Sequence, residues 1–539
     1  MSDIRVFKAR KIITMDRLRP VASHVAVRDG RILAVGNSEC AAPWGDFVAD
    51  DRLADAVLMP GLVEGHAHLM AGAMWQFTYV GYHDRIDPEG KTWAGIDTAE
   101  AMIARLKSDA PQSNEKIFGW GFDPIFLSSE RLNRSHLDQV STDRPVAVLF
   151  SNFHLMCVNS VALEMAGYDA QTPLEGVVKG PDGTPTGELQ EMAAMFPVLR
   201  RMGIDFRTLS QSADAIENYG KIAVRAGVTT MTDLYSMLED EDIALMLRLT
   251  GAEDYPLRIV QALGASGAPA QVADKALALR ERSSDKLRLG AVKLMTDGSI
   301  QGWTARVRWP GYIGGQPNGI WNMAPDEIFA LTREMQHRGV QMHIHVNGDE
   351  AAEVSLDALE AAARAHPWPG ARHVLQHCQM MDRALFERAA ELGVACNIFA
   401  NHLWYFGDQH AALTIGPDRA ERMDAVRTAI DTGVMVAVHS DAPVTPLAPL
   451  FTAWCAVNRQ TMGGNVLGPE ECISVPEALE LITLGAARSL RLDHEIGSIE
   501  PGKRADFAVL GSDPSTIGAA ELKDVPVLGT VSGGRVHLL

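Results

Sequence analysis

Leu58-Met59-Pro60-Gly61-Leu62-Val63-Glu64-Gly65-His66-Ala67-His68 is the stretch on which the reading of this chain turns. A Pro-Gly break is followed by a short apolar run that ends in His-x-His. Side chains at i and i+2 of a strand share a face, so His66 and His68 can aim at one point from a strand end. Two imidazoles converging on a point are the beginning of a metal site. The chain has 17 histidines, however, and Met342-His343-Ile344-His345 holds a second such pair. The site stands only if further ligands arrive at the ends of other strands.

Upstream, residues 1–57 alternate short β-rich runs with turns, among them Arg28-Asp29-Gly30-Arg31 between two strands. Residues 496–539 read the same way. Neither end is long enough to close a core alone, so 1–57 and 496–539 are expected to form one composite β-sandwich domain with the termini close together. Downstream, β and α patterns alternate. After the strand leading to His68, strands are expected at 228–233, 257–262, 288–295, 341–346, 373–377, 394–398 and 435–440. Helical patterns such as 355–365 and 383–392 lie between them. Eight strands with intervening helices predict a parallel (β/α)8 TIM-type barrel over 58–495, of class α/β. The roughly 150 residues between the first two strands far exceed a βα loop, so 70–220 is expected to be an inserted substrate-capping subdomain. It has its own predicted helices at 98–109, 161–165 and 210–226 and strands at 116–119 and 146–150.

Composition narrows the function. The 539 residues are 47% hydrophobic and 22% charged, as in a globular protein with a large core. Net charge is −19, which disfavours nucleic acid and anionic membrane surfaces as partners. No run approaches the ~18 apolar residues that span a bilayer. The N-terminus lacks a secretory pattern, and six scattered cysteines without CxxC spacing read as free thiols, so a cytoplasmic location is expected.

Chemistry in such barrels sits at the C-terminal strand ends. Those ends offer His66 and His68, Lys293, His343-Ile344-His345, Gln376-His377 and His439-Ser440-Asp441. Imidazoles and carboxylates with an open position suit a catalytic divalent metal such as Zn²⁺. His343, His373 and His439 are expected to be hydrogen-bonded strand-end residues and not ligands. Lys293 lies in an apolar run, where an ammonium is costly. It either pairs with Asp233 or Asp297, or its amine is carboxylated by CO₂ to give an anionic ligand bridging two metals.

These residues, with Pro60-Gly61-Leu62-Val63, Gly119-Trp120-Gly121-Phe122-Asp123, Asp143-Arg144-Pro145-Val146, His154, Gly183-Thr184-Pro185-Thr186-Gly187, Asp297-Gly298-Ser299, Gly348-Asp349 and Gly502-Lys503-Arg504-Ala505-Asp506, resemble the metal-dependent amidohydrolase superfamily, in particular amidohydrolase family 3 with its YtcJ-like and N-substituted formamide deformylase-like members. The resemblance implies that His66, His68 and Asp441 hold one metal, His345 and His377 a second, with Lys293 as the bridging carbamate: one metal per chain, or two if Lys293 is carboxylated. It also implies hydrolysis of a C–N bond, of amide or N-substituted formamide type, by a metal-bound hydroxide. Asp441 would serve as general base and acid, and His154 or His402 would stabilise the oxyanion. A small-molecule substrate is expected to meet Trp120, Phe122, Trp303, Arg306 and Trp404. A homodimer is expected at family level. The same hydroxide would attack a lactone, ester or carbamate, which is the alternative reaction. An inactive scaffold would have lost ligands, and none of the six positions is lost. The sequence departs from the family at Gln376, where Glu is usual, and at Asn397-Ile398-Phe399-Ala400-Asn401-His402.

Overall fold

The computed structural model describes residues 3–110, 115–127 and 131–539. Its centre is a sheet of eight parallel strands: β1 (Leu62–Glu64), β2 (Val228–Ser236), β3 (Arg258–Gly264), β4 (Leu287–Met295), β5 (Met342–Val346), β6 (Val374–His377), β7 (Ala395–Ile398) and β8 (Met435–Val438). Sequence neighbours are sheet neighbours throughout. β5, β6 and β7 are buried along their whole length, as strands covered on both faces must be. The two outer strands approach each other through a parallel bridge between Ala67 and Ala442, where the His68 N–H donates to the Ala442 carbonyl at 2.9 Å. Helices connect the strands. The longest, Asp349–Ala365, buries Ala352, Ser355, Leu356, Leu359 and Ala362 on one stripe and opens with two acidic residues at its positive end.

The strand into the His-x-His differs from expectation. β1 stops at Glu64, two residues before His66. The chain beyond it is held by side chains: the Ala67 N–H donates to Thr232 Oγ1 at 2.8 Å and the Leu69 N–H to Asp233 Oδ1 at 3.0 Å.

Strands from the two chain ends share one sheet, in the order 535–538, 527–532, 507–510, 57–60, 4–13, 21–28, 31–36, with Phe47–Asp50 also paired to the 4–13 strand. Phe7 and Phe507, one from each end, meet edge to face at 6.4 Å. The long segment after β1 carries a six-stranded sheet of its own, ordered 177–179, 185–190, 155–158, 146–150, 117–122, 78–79. Among the described residues no helix is long and apolar enough to cross a membrane. All six cysteines are free.

Asp506, the last residue of the Gly502-Lys503-Arg504-Ala505-Asp506 motif, joins the terminal sheet to the central one. Its carboxylate accepts from Arg258 Nη1 on β3 and from the Gly533 N–H, both at 2.7 Å, and its carbonyl accepts from the Gly61 N–H at 2.9 Å. Arg258 and Asp506 are both buried. Removing one member of a buried pair strands the other, at ~3–5 kcal/mol. Asp506→Ala is therefore expected to lower unfolding free energy by about 3 kcal/mol or more, on denaturant titration. A loss under ~1 kcal/mol would show that water reaches Arg258 and that the junction does not depend on the pair.

Candidate active site

Glu64, the last residue of β1, is buried and holds the loop after β8. It accepts the Ser440 N–H and, at 2.8 Å, the Ser440 hydroxyl. Burial pushes its carboxyl up to about 8, against the hydrogen bonds that favour the anion. Glu64 thereby fixes Asp441 relative to His66. His66 Nδ1 faces Gln376 Oε1 at 2.8 Å, which leaves Nε2 pointing at Asp441 Oδ1, 3.3 Å away. His68 Nε2 reaches the same oxygen at 3.3 Å. The departure at Gln376 has a physical role: its oxygen also accepts from Asn397 Nδ2, while its amide nitrogen faces His343 Nδ1 at 2.8 Å.

His377 Nδ1 lies 3.8 Å from Asp441 Oδ2, and the His377 and His345 rings are 4.5 Å apart. His345 Nε2 is turned to the Gly298 carbonyl at 3.1 Å and to Asp297 Oδ1 at 3.4 Å. Asp297 is fully buried and accepts the N–H groups of Arg306, Asn347 and Gly348, yet burial lifts its carboxyl to about 7. It ties the end of β4 to the end of β5, so it positions His345.

Lys293 is fully buried and its Nζ has no hydrogen-bond partner, so the expected pairing with Asp233 or Asp297 is absent. Burial drives its pKa down to about 7, although Asp441 pulls the other way. Burial likewise holds His66, His345 and His377 neutral, the form that ligates metals. Burial opposes ionisation of Asp441 too. The His68 imidazole, whose Nε2 stands 3.3 Å from Oδ1, with His439 and Lys293 beside it, overcomes that effect and keeps the carboxyl below its ordinary range.

His373 is a satisfied structural histidine: Nδ1 accepts the Met342 N–H and Nε2 faces Gln336 Oε1 at 2.7 Å. His439 differs from its expected place as a hydrogen-bonded residue. It stacks on His66 at 4.7 Å, and neither ring nitrogen has a partner. Among the described residues two groups of three bring ligating atoms within 4.8 Å of one another: His66, His68 and Asp441, and His66, His377 and His439. Lys293 Nζ, His377 Nδ1 and Asp441 Oδ1 are buried without hydrogen-bond partners. Buried polar atoms left this way cost free energy unless something else binds them. Neutral imidazoles, an ionised carboxylate and an unpartnered amine fit a divalent metal.

These groups floor a cavity of about 480 Å³ whose lining includes His66, His68, Lys293, His345, His377 and Asp441. His154 and His402 also line it, with different freedom. His154 Nδ1 faces Glu191 Oε2 at 2.8 Å, which leaves Nε2 for the cavity. Burial opposes a charged His154, but the Glu191 carboxylate outweighs it and raises the pKa. His402 has both nitrogens engaged, Nε2 with Gln301 Oε1 at 3.1 Å and Nδ1 with His410 Nε2 at 3.0 Å, so it has no donor left for an oxyanion.

The five expected substrate contacts are absent from the cavity lining. Trp120 and Phe122 lie two apart on the strand Ile117–Phe122 and should share a face. A bulge at Gly121, whose φ is +90°, turns Phe122 over, and the two side chains enter separate cores on either side of the sheet. Trp303 stacks on Arg131 beside a different surface hollow. Arg306 pairs with Glu350 at 3.0 Å. Trp404 packs against Tyr405 and Phe451. The cavity is walled instead by Met70, Phe153, Met192, Phe196, Leu199, Ile204, Phe206 and Tyr235. Half of these lie on helices Glu191–Arg201 and Phe206–Ser210, and no motif marked them. Glu191 was equally hidden, because nothing in its sequence signals a φ of +64°.

Comparison with known proteins agrees with this geometry. An amidohydrolase family model matches residues 53–537. Protein LONG AFTER FAR-RED 3 of Arabidopsis thaliana is 28% identical over 97% of this chain and 90% of its own length. Putative amidohydrolase YtcJ of Bacillus subtilis (strain 168) is 28% identical over 95% of each chain. N-substituted formamide deformylase of Arthrobacter pascens is 27% identical over 99% of this chain and 98% of its own. Among solved structures, an uncharacterized metal-dependent hydrolase from Pyrococcus horikoshii OT3 superposes with TM-score 0.73 at 22% identity, covering 96% of this chain and 99% of that one. Atrazine chlorohydrolase TrzN from Arthrobacter aurescens TC1, complexed with zinc, does so at 0.54 and 15%, covering 99% and 95%. A family model spanning nine-tenths of the sequence, over a parallel sheet whose strand ends gather histidines around one aspartate, makes this chain a member of the amidohydrolase family.

Proposed function

We propose that this chain is a metal-dependent hydrolase of C–N bonds in small amides or N-substituted formamides. The observation that carries the reading is the meeting of His66, His68 and Asp441 within 3.3 Å contacts, with the unpartnered Lys293 amine and His377 imidazole in the same cavity. His66, His68, Asp441, His345 and His377 would hold one or two divalent ions, Zn²⁺ being the favoured candidate, with Lys293 bridging if carboxylated. A bound ion of this kind supplies Lewis acidity and lowers the pKa of a coordinated water toward neutrality.

The protein's own residues account for the remaining steps. Asp441 Oδ1 faces both His66 and His68, so Oδ2 is the atom that takes the proton of the attacking water and passes it to the leaving nitrogen. His154, whose Nδ1 is committed to Glu191, offers Nε2–H to the carbonyl oxygen as it gains charge. The apolar walls exclude competing water and strengthen these interactions. Lys293, buried and without a partner, has an amine free to add CO₂.

Two experiments test the reading. A hydrolysis screen of amides, N-substituted formamides, esters, lactones and carbamates should give turnover on the C–N substrates. Asp441→Asn should lower that turnover by roughly 10²–10⁴ with the fold intact by circular dichroism. Retention of more than a tenth of the activity would remove Asp441 from proton transfer, and turnover of esters or lactones alone would move the reaction to C–O bonds. In the second, isotope-labelled bicarbonate should produce a carbamate carbon resonance in metal-loaded protein, absent from Lys293→Arg. An active wild-type sample without that resonance would leave Lys293 unmodified and favour a single metal.

A further inference from the structure

We propose that the apolar chamber walled largely by the inserted segment is a subsite for an uncharged hydrophobic substituent of the substrate amide, alkyl or aryl in class. The inference rests on the C–N reading above. One cavity of about 480 Å³ runs from the histidines and Asp441 to side chains with no group to bind a polar substituent, Met70, Phe153, Met192, Phe196 and Leu199, with the ring of Tyr235 beside them. Phe196 and Phe206 stand edge to face at 6.3 Å and close one wall. Beyond the histidines, Lys293 and Asp441, the acidic and basic residues of the lining are Asp233, Arg200, Asp205 and Arg207, and Asp233 Oδ2 already accepts from Ser236 Oγ and Gln261 Nε2. Arg207 is already bonded to Asp242 at 2.7 Å, and Arg200 and Asp205 are exposed. A substrate whose carbonyl meets His154 and Asp441 therefore has its remaining length in contact with thioether, aromatic and aliphatic surface. Burial there is worth ~0.8 kcal/mol per methylene, about fourfold in affinity.

The test separates the subsite from the reaction. Methyl alkyl ketones mimic the amide and cannot be hydrolysed, so calorimetry on the metal-loaded enzyme reads binding alone. Affinity should rise about fourfold per added methylene until the chamber is full. The slope should fall in Phe196→Ala. It should also fall for the longest chains in Met237→Asp, at a cavity-rim position that is 42% exposed and so does not bear on folding. Matched N-alkylformamides should show the same trend in kcat/KM. A flat series, or tighter binding of ω-carboxyalkyl ketones through Arg200, overturns the proposal. A rising ketone series with no amide turned over leaves the subsite standing and refutes the C–N reading.

A separate observation assigns Glu191 as a positioning residue for His154. Glu191 adopts φ +64°, a strained choice for a residue with a Cβ, and is buried. That conformation lets one residue grip His154 at two points: the Glu191 N–H donates to the His154 carbonyl at 2.7 Å, and Oε2 accepts from Nδ1–H at 2.8 Å. Asn322 Nδ2 holds the same Oε2 at 2.8 Å and also donates to the Asp297 carbonyl. Gly298 makes room, since a Cβ there would stand 2.3 Å from Glu191 Oε1. On the proposed reaction, Glu191→Ala should lower kcat about 10–100-fold with KM nearly unchanged, as loss of an orienting partner does. Glu191→Gln, which keeps an acceptor for Nδ1–H, should recover most of it. The Glu191→Ala/His154→Ala pair should be no slower than His154→Ala alone. Additive losses, or a Gln variant as slow as Ala, overturn the assignment.

Discussion

The site depends on the seam where the last strand meets the first. β1 and β8 are the two ends of a sheet whose other neighbours are joined by full ladders, and here the ladder is one residue pair, Ala67 with Ala442. Side chains do the rest. Glu64, fully buried, accepts both the N–H and the hydroxyl of Ser440 and so joins β1 to the residue just before Asp441. Arg85, from the inserted segment, donates to the Pro443 and Val444 carbonyls just after Asp441. Asp441 itself has φ +55°, a conformation that survives only where its neighbours are held from both sides. The geometry linking His66, His68 and Asp441 is thus a property of the seam and not of any one strand.

Burial then sets the chemistry. In water a histidine near neutral pH divides its time between two protonation states. Burial around the seam removes that choice from His66, His345 and His377 and leaves lone pairs on neutral rings. The same burial would neutralise Asp441, were it not for the nearby His68, His439 and Lys293 side chains, which favour its anion. One environment therefore yields both ligand types. The unpartnered atoms of Lys293, His377 and Asp441 are costly in a folded core, and all three residues line one cavity.

The sequence made the central sheet legible because it is built from strands covered on both faces, and such strands read as apolar runs ending in conspicuous polar residues. His345, His377 and Asp441 follow Ile344, Gln376 and Ser440 in the same grammar as His66. Roles that depend on the third dimension were hidden. His439 looked like any strand-end histidine, yet its ring lies on His66. Trp120 and Phe122 looked like a cavity wall because they are aromatic and lie in a long insertion. The bulge at Gly121 and the six-stranded sheet around it send both into cores. His402 looked free, and its two nitrogens are taken by Gln301 and His410, one of them eight residues ahead on a turn no pattern announced.

The two parts of the molecule place different demands on their residues, and those demands leave different marks in the sequence. Catalytic atoms must sit within a fraction of an ångström, so they stand beside short strands whose neighbours fix them. Those positions repeat at strand ends and leave a mark in sequence. Substituent recognition needs only surface of the right character, which helices of the insertion supply through residues spaced like any core face. Met192, Phe196 and Leu199 are such a face, turned toward a cavity instead of a partner helix. His154 belongs to the insertion by sequence and lines the cavity with the histidines of the strand ends, and Glu191 backs it. Through Asn322 they reach Asp297, and through Asp297 they reach His345. Wall and floor of the cavity are therefore joined by one run of contacts, from Glu191 through Asn322 and Asp297 to His345.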